Sequence, residues 1–412
     1  MRNKLILITN NFPFGNGESF LEAEIKYLAD AFEHITIISN NTTSEQTRVY
    51  PSNIEVVRLG YNLTFKEKLN SLFLLFNRSI WKELANVRHL YQLRINAGIL
   101  FTLLTSWYKH KKVNKVIDSV IKGSNNNDRY FLYTYWANDM AISIATYEND
   151  LILKRICRAH HGDVYFNRSV YNYLPFRDFL FRKLDHVCFI SENSKKYTIE
   201  KLKNNYISFE ITRLGIDNPH MPKSKNFSKN VFHIVSCSFL KPVKRVHLII
   251  EALSLISREL KIKWEHFGGG ELEEEFKQKG MQLMANKKNI DIEFRGYISN
   301  QELLKQYEKN DIDLFLNVSA SEGVPVSIME ALSFGIPVLA TDVGANSEIV
   351  SNNHGKLLDK NISSIELAKE LTSYFNLEKA EKERLSKNAY EFWKTNYNAS
   401  VNYPKFIRSF LS

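Results

Sequence analysis

Short apolar runs bounded by turn residues alternate with stretches of helical spacing along most of the chain. Residues 5–9, 35–39, 129–134, 186–190, 231–238, 312–318 and 336–341 have the length and β-branched or aromatic content of buried strands. Between them lie helical patterns, at about 20–32, from Arg245 to Leu255, and after Ser299, which reads as a cap for the helix carrying Glu302 to Tyr307. Strand and helix in strict alternation predict parallel sheets covered by helices. A run of 412 residues exceeds what one core usually holds, so two such domains are expected. The expected boundaries are a first domain over 1–220, a linker over 221–230, a second domain over 231–395 and a terminal helix over 396–412.

Residues 62–122 break this alternation. Leu69, Leu72, Phe73, Phe76 and Ile80 follow helical spacing, as do Leu90, Leu93, Ala97, Leu100, Phe101 and Leu104, with little strand character. Basic residues are dense here: Lys66, Lys68, Arg78, Lys82, Arg88, Arg94, Lys109, Lys111, Lys112 and Lys115. A basic amphipathic helix suits an anionic membrane surface, whereas the plain alternative is a solvated helical face.

One stretch carries more chemistry than the others. Residues 322–335 read Glu-Gly-Val-Pro-Val-Ser-Ile-Met-Glu-Ala-Leu-Ser-Phe-Gly. Pro325 suits a first helical position, and Gly335 with Pro337 stops the helix, which predicts a helix over 325–334 between two strands. The backbone amides of Gly323, Val324 and Val326 open that helix with no carboxylate in its first turn, a setting that welcomes a phosphate. Glu330 lies more than a turn further on, where its carboxylate suits a pair of ribose hydroxyls, and Glu322 at the mouth suits a second hydroxylated group. The alternative is two solvated acids beside a tight turn.

Two glutamates seven residues apart, in Glu322-Gly323-Val324-Pro325 to Glu330-Ala331, resemble the signature of glycosyltransferase family 4. The resemblance runs on through Pro337–Gly344 to Glu348 and covers most of the C-terminal half. It implies an α/β, GT-B architecture: two Rossmann-like domains facing across a cleft, with the nucleotide-sugar donor on the second and the acceptor on the first. It implies retention of anomeric configuration and diphosphate contacts from a lysine, matched by Lys244, and from an arginine, whose place Ser238 takes. Lys241 or Arg245 stands near enough in sequence to replace that arginine. Tyr297, after the glycine at 296, is implied to meet the nucleobase, and His160 matches the family's cleft histidine. Glu322 is then a residue that holds the donor sugar, grouped with His160 and Lys244 as the catalytic set.

In the first domain, the loop after the opening strand contains Gly15 and Gly17 but is not Gly-x-Gly-x-x-Gly, so no dinucleotide fingerprint is present. Either a plain turn or an approach to donor phosphate or acceptor fits these two glycines. Asp163 and Tyr165 follow His160 at a strand exit and are candidates for the acceptor side. The run Gly268-Gly269-Gly270 resembles a phosphate loop, but Glu271, Glu273, Glu274 and Glu275 would repel an anion there, which favours a structural turn.

Composition narrows the partners. Hydrophobic residues make up 44% of the chain, ample for packed cores, and no apolar run reaches the roughly 18 residues of a membrane span. The net charge of +10 suits an anionic partner, and diphosphate substrates fit better than nucleic acid, for which no binding module is evident. Cys157, Cys188 and Cys237 have no metal-ligand spacing and read as free thiols. No Asp-x-Asp triad suited to Mg²⁺ is evident, so no cofactor or metal is expected. The expected activity is transfer of a sugar from a nucleotide-sugar, UDP favoured over GDP, to a lipid-linked saccharide. The expected location is cytoplasmic, at the inner face of the plasma membrane. The competing readings are a nucleotide-sugar-binding protein without turnover, a retaining sugar phosphorylase and, on charge alone, a nucleic-acid binder.

Overall fold

The computed structural model describes residues 2–15, 17–18, 20–60, 62–125, 127–218 and 231–411. The linker expected over 221–230 lies outside the described residues. The chain divides into two compact units, one of Met1–Leu214 with Asn402–Ser412 and one of Gly215–Val401.

The first unit is built on a seven-stranded sheet. Its strands are β1 (Arg2–Thr9), β2 (His34–Ser39), β3 (Ile54–Arg58), β4 (Asp128–Thr134), β5 (Ile152–Ala159), β6 (His186–Phe189) and β7 (Phe209–Ile211). Their order is β3-β2-β1-β4-β5-β6-β7, and every described pairing is parallel. Alternate side chains of one strand face opposite sides of a sheet. Accordingly Ile6 and Ile8 join one core with Leu132, while Leu5 and Leu7 join another with Phe131 and Tyr133. Phe406, Ile407 and Phe410 of the C-terminal helix Ala399–Leu411 complete the second of these cores.

A buried ion pair fixes the helix Leu21–Ala31 on that sheet. Arg158 donates to Glu24 at 2.8 Å, and the Tyr133 hydroxyl donates to the same carboxylate at 2.9 Å. All three are fully enclosed, so each partner compensates the desolvation of the other.

Residues 62–122 form helices Phe65–Asn70, Arg78–His89 and Ala97–Ile121, with a 3₁₀ segment Ser71–Phe76. The helical spacing of Leu69 to Ile80 runs across three of these elements. The structure breaks it at Asn77, whose extended backbone (ψ 126°) ends the 3₁₀ segment and whose side chain caps the next helix.

The second unit holds six parallel strands: β8 (Phe232–Cys237), β9 (Ile262–Phe267), β10 (Ile290–Phe294), β11 (Leu314–Asn317), β12 (Val338–Thr341) and β13 (Gly355–Leu358). The order is β10-β9-β8-β11-β12-β13. The chain therefore walks outward in one direction from β8, then returns to start again at β11. The point between β8 and β11, where the winding reverses, is the place at which open parallel sheets bind ligands beyond their carboxyl ends.

Candidate functional site

The switch point of the second sheet gathers a lysine and a glutamate. Beyond β8, a 3₁₀ turn Pro242–Lys244 carries Lys244 to the carboxyl edge. Beyond β11, residues 318–325 form a loop that carries Glu322. Lys244 Nζ donates to Glu322 Oε1 at 2.7 Å. The same oxygen accepts from Ser319 Oγ at 2.6 Å and Asn317 Nδ2 at 3.2 Å. Glu322 is buried and Lys244 is partly open. The carboxylate is thus fixed by neutral donors from its own loop, while the ammonium keeps donors for a second anion.

Backbone constraints hold this loop in place. Arg245 sits at φ 49° and donates Nε to Val318 O at 2.7 Å and Nη2 to Ser319 O at 3.2 Å. Two of the five N–H donors of its guanidinium thus brace the Glu322 loop. Gly344, at φ +60°, packs directly against Glu322, since an added Cβ would stand 1.9 Å from Glu322 O. Ala345 N donates to Gly323 O at 3.0 Å.

The helix Val326–Ser333 follows. Its expected start at Pro325 is corrected by one residue: Pro325 has ψ 112°, extended rather than helical, and stands as the cap. At the other end Gly335, at φ +63°, stops it, with Gly335 N on Leu332 O and Ile336 N on Ala331 O. The amides of Val326 and Ser327 lie in the first turn, where helical geometry supplies no carbonyl partner. Glu322, which holds Lys244, lies four residues before Val326 on the loop that leads into this helix, and helix-opening amides of this kind suit an anion.

Glu330 is buried a turn further on and accepts a hydrogen bond from Asn300 Nδ2. Burial pushes its carboxyl up to about 7, against which the Asn300 contact pulls it down. The nearby Cys237 thiol and Tyr307 hydroxyl are also driven up by burial, so neither ionises near neutrality. Among the described residues Asn300 is the one donor on this carboxyl, and a pair of sugar hydroxyls would add to what holds its charge.

Three further expectations fall on the same edge. Ser238 N donates to Phe267 O at 3.0 Å, and Ser238 O accepts from His266 Nε2 at 3.1 Å. The backbone of Ser238 is thus spent on joining β8 to β9, with its short side chain at the strand exit. Tyr297 follows Gly296 (φ +63°) at the exit of β10 and is 64% exposed, free to stack on a planar ring. Gly268 to Gly270 form a structural turn: Gly268 N donates to Gly296 O at 2.8 Å, and Gly269 O accepts from Leu240 N at 3.0 Å.

The first unit carries its own cluster where β1 and β4 part. Glu18 accepts from the backbone amides of Asn10, Asn11 and Phe12 at 2.9, 2.7 and 2.6 Å, and from Trp136 Nε1. It clamps the loop that bears Gly15 and Gly17. Both backbone groups of Gly15 are used inside the protein, N–H on Glu45 O and carbonyl on Arg48 Nη1. Gly17 is packed on Asn11, where an added Cβ would lie 2.8 Å from Nδ2. A hydrogen bond from Gly15 to a ligand is therefore ruled out in this arrangement.

His160 is boxed by Phe20, Tyr135 and Trp136, with ring centroids at 5.3, 5.1 and 4.5 Å. Burial, then the Arg158 charge, lowers it to about 3, so it is neutral at physiological pH. Its Nε2 is buried without a hydrogen-bond partner. Asp163, a candidate for shaping the acceptor side, is enclosed. Its oxygens accept from His160 N and Ala137 N, both at 2.6 Å, and burial lifts its carboxyl to about 7. Asp163 shapes the turn that presents His160. Tyr165 is half-buried between His161 and Tyr197.

Asn300, Asn317, Ser319, Gly344, Glu18 and Trp136 were not singled out from sequence. Asn317 and Ser319, five and three residues before Glu322, were the legible ones, since short polar side chains at a strand exit are ready partners for a nearby acid. Among the described residues no group of three or more His, Cys, Asp or Glu is placed to share a metal ion. A metal brought in with a substrate is a separate matter.

Residues 217–392 match the model of the family Glycosyl transferases group 1. Among curated relatives, the putative colanic acid biosynthesis glycosyltransferase WcaL of Escherichia coli (strain K12) is 25% identical over 264 residues, 62% of this chain and 63% of that protein. The chain thus spans less than two thirds of that relative's length. Among solved structures, the lipopolysaccharide outer core galactosyltransferase WaaB in its apo form aligns with a TM-score of 0.66 at 12% identity, over 99% of both chains. Anabaena HepE in complex with UDP and glucose aligns with a TM-score of 0.64 at 16% identity, again over 99% of both. At such identities these likenesses show a common fold, two Rossmann-like α/β domains of the GT-B type.

Proposed function

We propose that this chain, whose residues 217–392 carry a glycosyl transferases group 1 domain, transfers a sugar from a nucleotide-sugar to a saccharide of a surface polysaccharide. The observation that carries this reading is the Lys244–Glu322 pair at 2.7 Å, set at the switch point beside the amides that open the helix Val326–Ser333. A leaving diphosphate needs its developing charge met by fixed donors. Lys244 and the amides of Gly323, Val324 and Val326 supply them. Glu322 accepts hydroxyls of the donor sugar, Glu330 accepts the ribose hydroxyls, and Tyr297 lies against the base.

The finer parts of the proposal are these. The donor is a UDP-sugar in preference to a GDP-sugar, as in the HepE complex with UDP. The transferred group is a hexosyl or N-acetylhexosaminyl unit. The transfer retains configuration, with the acceptor approaching on the leaving-group face. The acceptor is lipid-linked. His160, neutral and boxed by aromatic rings, presents Nε2 as an uncharged partner for a hydroxyl. No metal takes part in this reading: Lys244 and the helix amides supply the positive charge that a cation would otherwise bring to the diphosphate.

A second reading has one observation in its favour. Ser238 stands where an arginine is implied, and the neighbouring Arg245 turns two of its N–H donors to Val318 and Ser319. With one cation fewer on the diphosphate, the site would bind nucleotide-sugar and leave it intact. A panel of UDP- and GDP-sugars, assayed in excess chelator for released nucleotide with a saccharide acceptor mixture, separates the readings. Acceptor-dependent release from a UDP-sugar is expected. Binding without release favours the second reading. Release restored only by Mg²⁺ or Mn²⁺ overturns the metal-free transfer, and a sugar phosphate formed from saccharide and inorganic phosphate with no nucleotide released indicates a phosphorylase.

A further inference from the structure

Exposed apolar side chains are common singly, but six within seventeen residues of the chain call for a partner. Phe65, Leu69, Leu72, Phe73, Phe76 and Trp81 are each at least half exposed, Phe73 at 73% and Phe76 at 91%. They lie on three successive short elements, the helix Phe65–Asn70, the 3₁₀ segment Ser71–Phe76 and the start of the helix Arg78–His89. Phe73 and Phe76 are three apart in the 3₁₀ segment, so they stand on one side of it. Trp81 Nε1 donates to Leu75 O at 2.6 Å, which holds the indole against the same segment.

The exposed charges along this stretch are basic. Lys66, Lys68, Arg78, Lys82 and Arg88 are exposed. Residues 62–101 contain two acids. Glu83 is buried and accepts from Tyr173 Oη and Phe176 N, and Glu67 pairs with Lys112 while closing the cap on Thr64. An apolar face rimmed by lysine and arginine, with an indole at its edge, matches the boundary of a bilayer that carries negative headgroups. Among the described residues no helix is long and apolar enough to cross a membrane. Attachment through this face would therefore be superficial.

We propose that Phe65, Leu69, Leu72, Phe73, Phe76 and Trp81, rimmed by Lys66, Lys68, Arg78 and Lys82, dock the protein on an anionic phospholipid surface. The aromatic rings enter the headgroup region, and the basic rim supplies a long-range attraction that salt weakens. The inference stands apart from the transfer reaction, since binding is read without turnover.

Flotation with vesicles of phosphatidylcholine, with and without phosphatidylglycerol, at low and high salt, tests it. The full chain is expected to float with the phosphatidylglycerol vesicles at low salt and to be released at high salt. Phe73→Glu with Phe76→Glu is expected to weaken this binding by about tenfold or more, with an unchanged melting curve because both rings are exposed. Lys66→Glu with Lys68→Glu is expected to weaken it by about tenfold or more. Absence of flotation at low salt, or flotation indifferent to both variants, overturns the proposal. So does a sedimenting dimer that Phe73→Glu with Phe76→Glu dissociates while vesicle binding is absent, because the face would then be a contact between copies.

Discussion

Replacing Lys244 by alanine is expected to lower kcat/KM by about 10²- to 10³-fold, the usual cost of removing one fixed donor from a developing negative charge. The fold is expected to survive. Lys244 is partly exposed, its partner Glu322 keeps the Ser319 hydroxyl and the Asn317 amide, and a partly open ion pair contributes little to stability. Loss of activity should therefore come with a melting temperature close to that of the unaltered protein. Lys244→Arg is expected to recover only part of the activity, because a planar guanidinium on the short turn Pro242–Lys244 cannot place a point charge where the ammonium sits. Steady-state kinetics with melting curves on both variants checks this. A variant that keeps full kcat/KM removes Lys244 from the diphosphate site.

Glu330 makes the second large effect, and it is one of pH. Its folded carboxyl ionises at about 7, against an ordinary value of 4.5. Between those two values the folded chain holds a proton that the unfolded chain has lost. Its contribution to stability is therefore complete below 4.5 and declines as pH rises through 7. A bound ribose changes the balance, because its two hydroxyls donate to the carboxylate and draw its ionisation down. Nucleotide binding should then expel a proton near neutrality, and affinity for UDP should improve by about tenfold between pH 6 and pH 8. Cys237 and Tyr307, both driven up by burial, do not titrate in that window. The phosphate of UDP does, with a pKa near about 6, but it does so equally with any variant. Glu330→Gln is expected to bind more weakly and to lack the additional slope. Calorimetric titration at the two pH values checks it, and an equal slope in both proteins would mean that the ribose does not reach Glu330.

The strand, loop and helix around Glu322 were legible because their signals are local. Pro325 and Gly335 bracket eight helical residues, and the flanking strands are short apolar runs. The one-residue error at Pro325 is equally local: a proline fixes φ but leaves ψ free, and here ψ is extended. What could not be read is every contact that depends on sheet order. Lys244 and Glu322 are 78 residues apart and meet because β8 and β11 are neighbours. Asn300 reaches Glu330 across 30 residues for the same kind of reason. Burial was also hidden. Asp163 beside His160 at a strand exit reads like a ligand residue, and only the fold reveals that backbone amides consume its oxygens. In residues 62–101, helical spacing was visible, but whether Phe73 and Phe76 face a core or water was not. In the structure Leu74 and Ile80 turn inward and those two phenylalanines do not.

The structure of this protein with UDP is the most direct test of the donor site. The account predicts the diphosphate within hydrogen-bond distance of Lys244 Nζ and of the amides at the start of the helix Val326–Ser333, with the ribose hydroxyls on Glu330. A nucleotide seated elsewhere, with Lys244 still turned to Glu322 and Glu330 still bound only to Asn300, would contradict it.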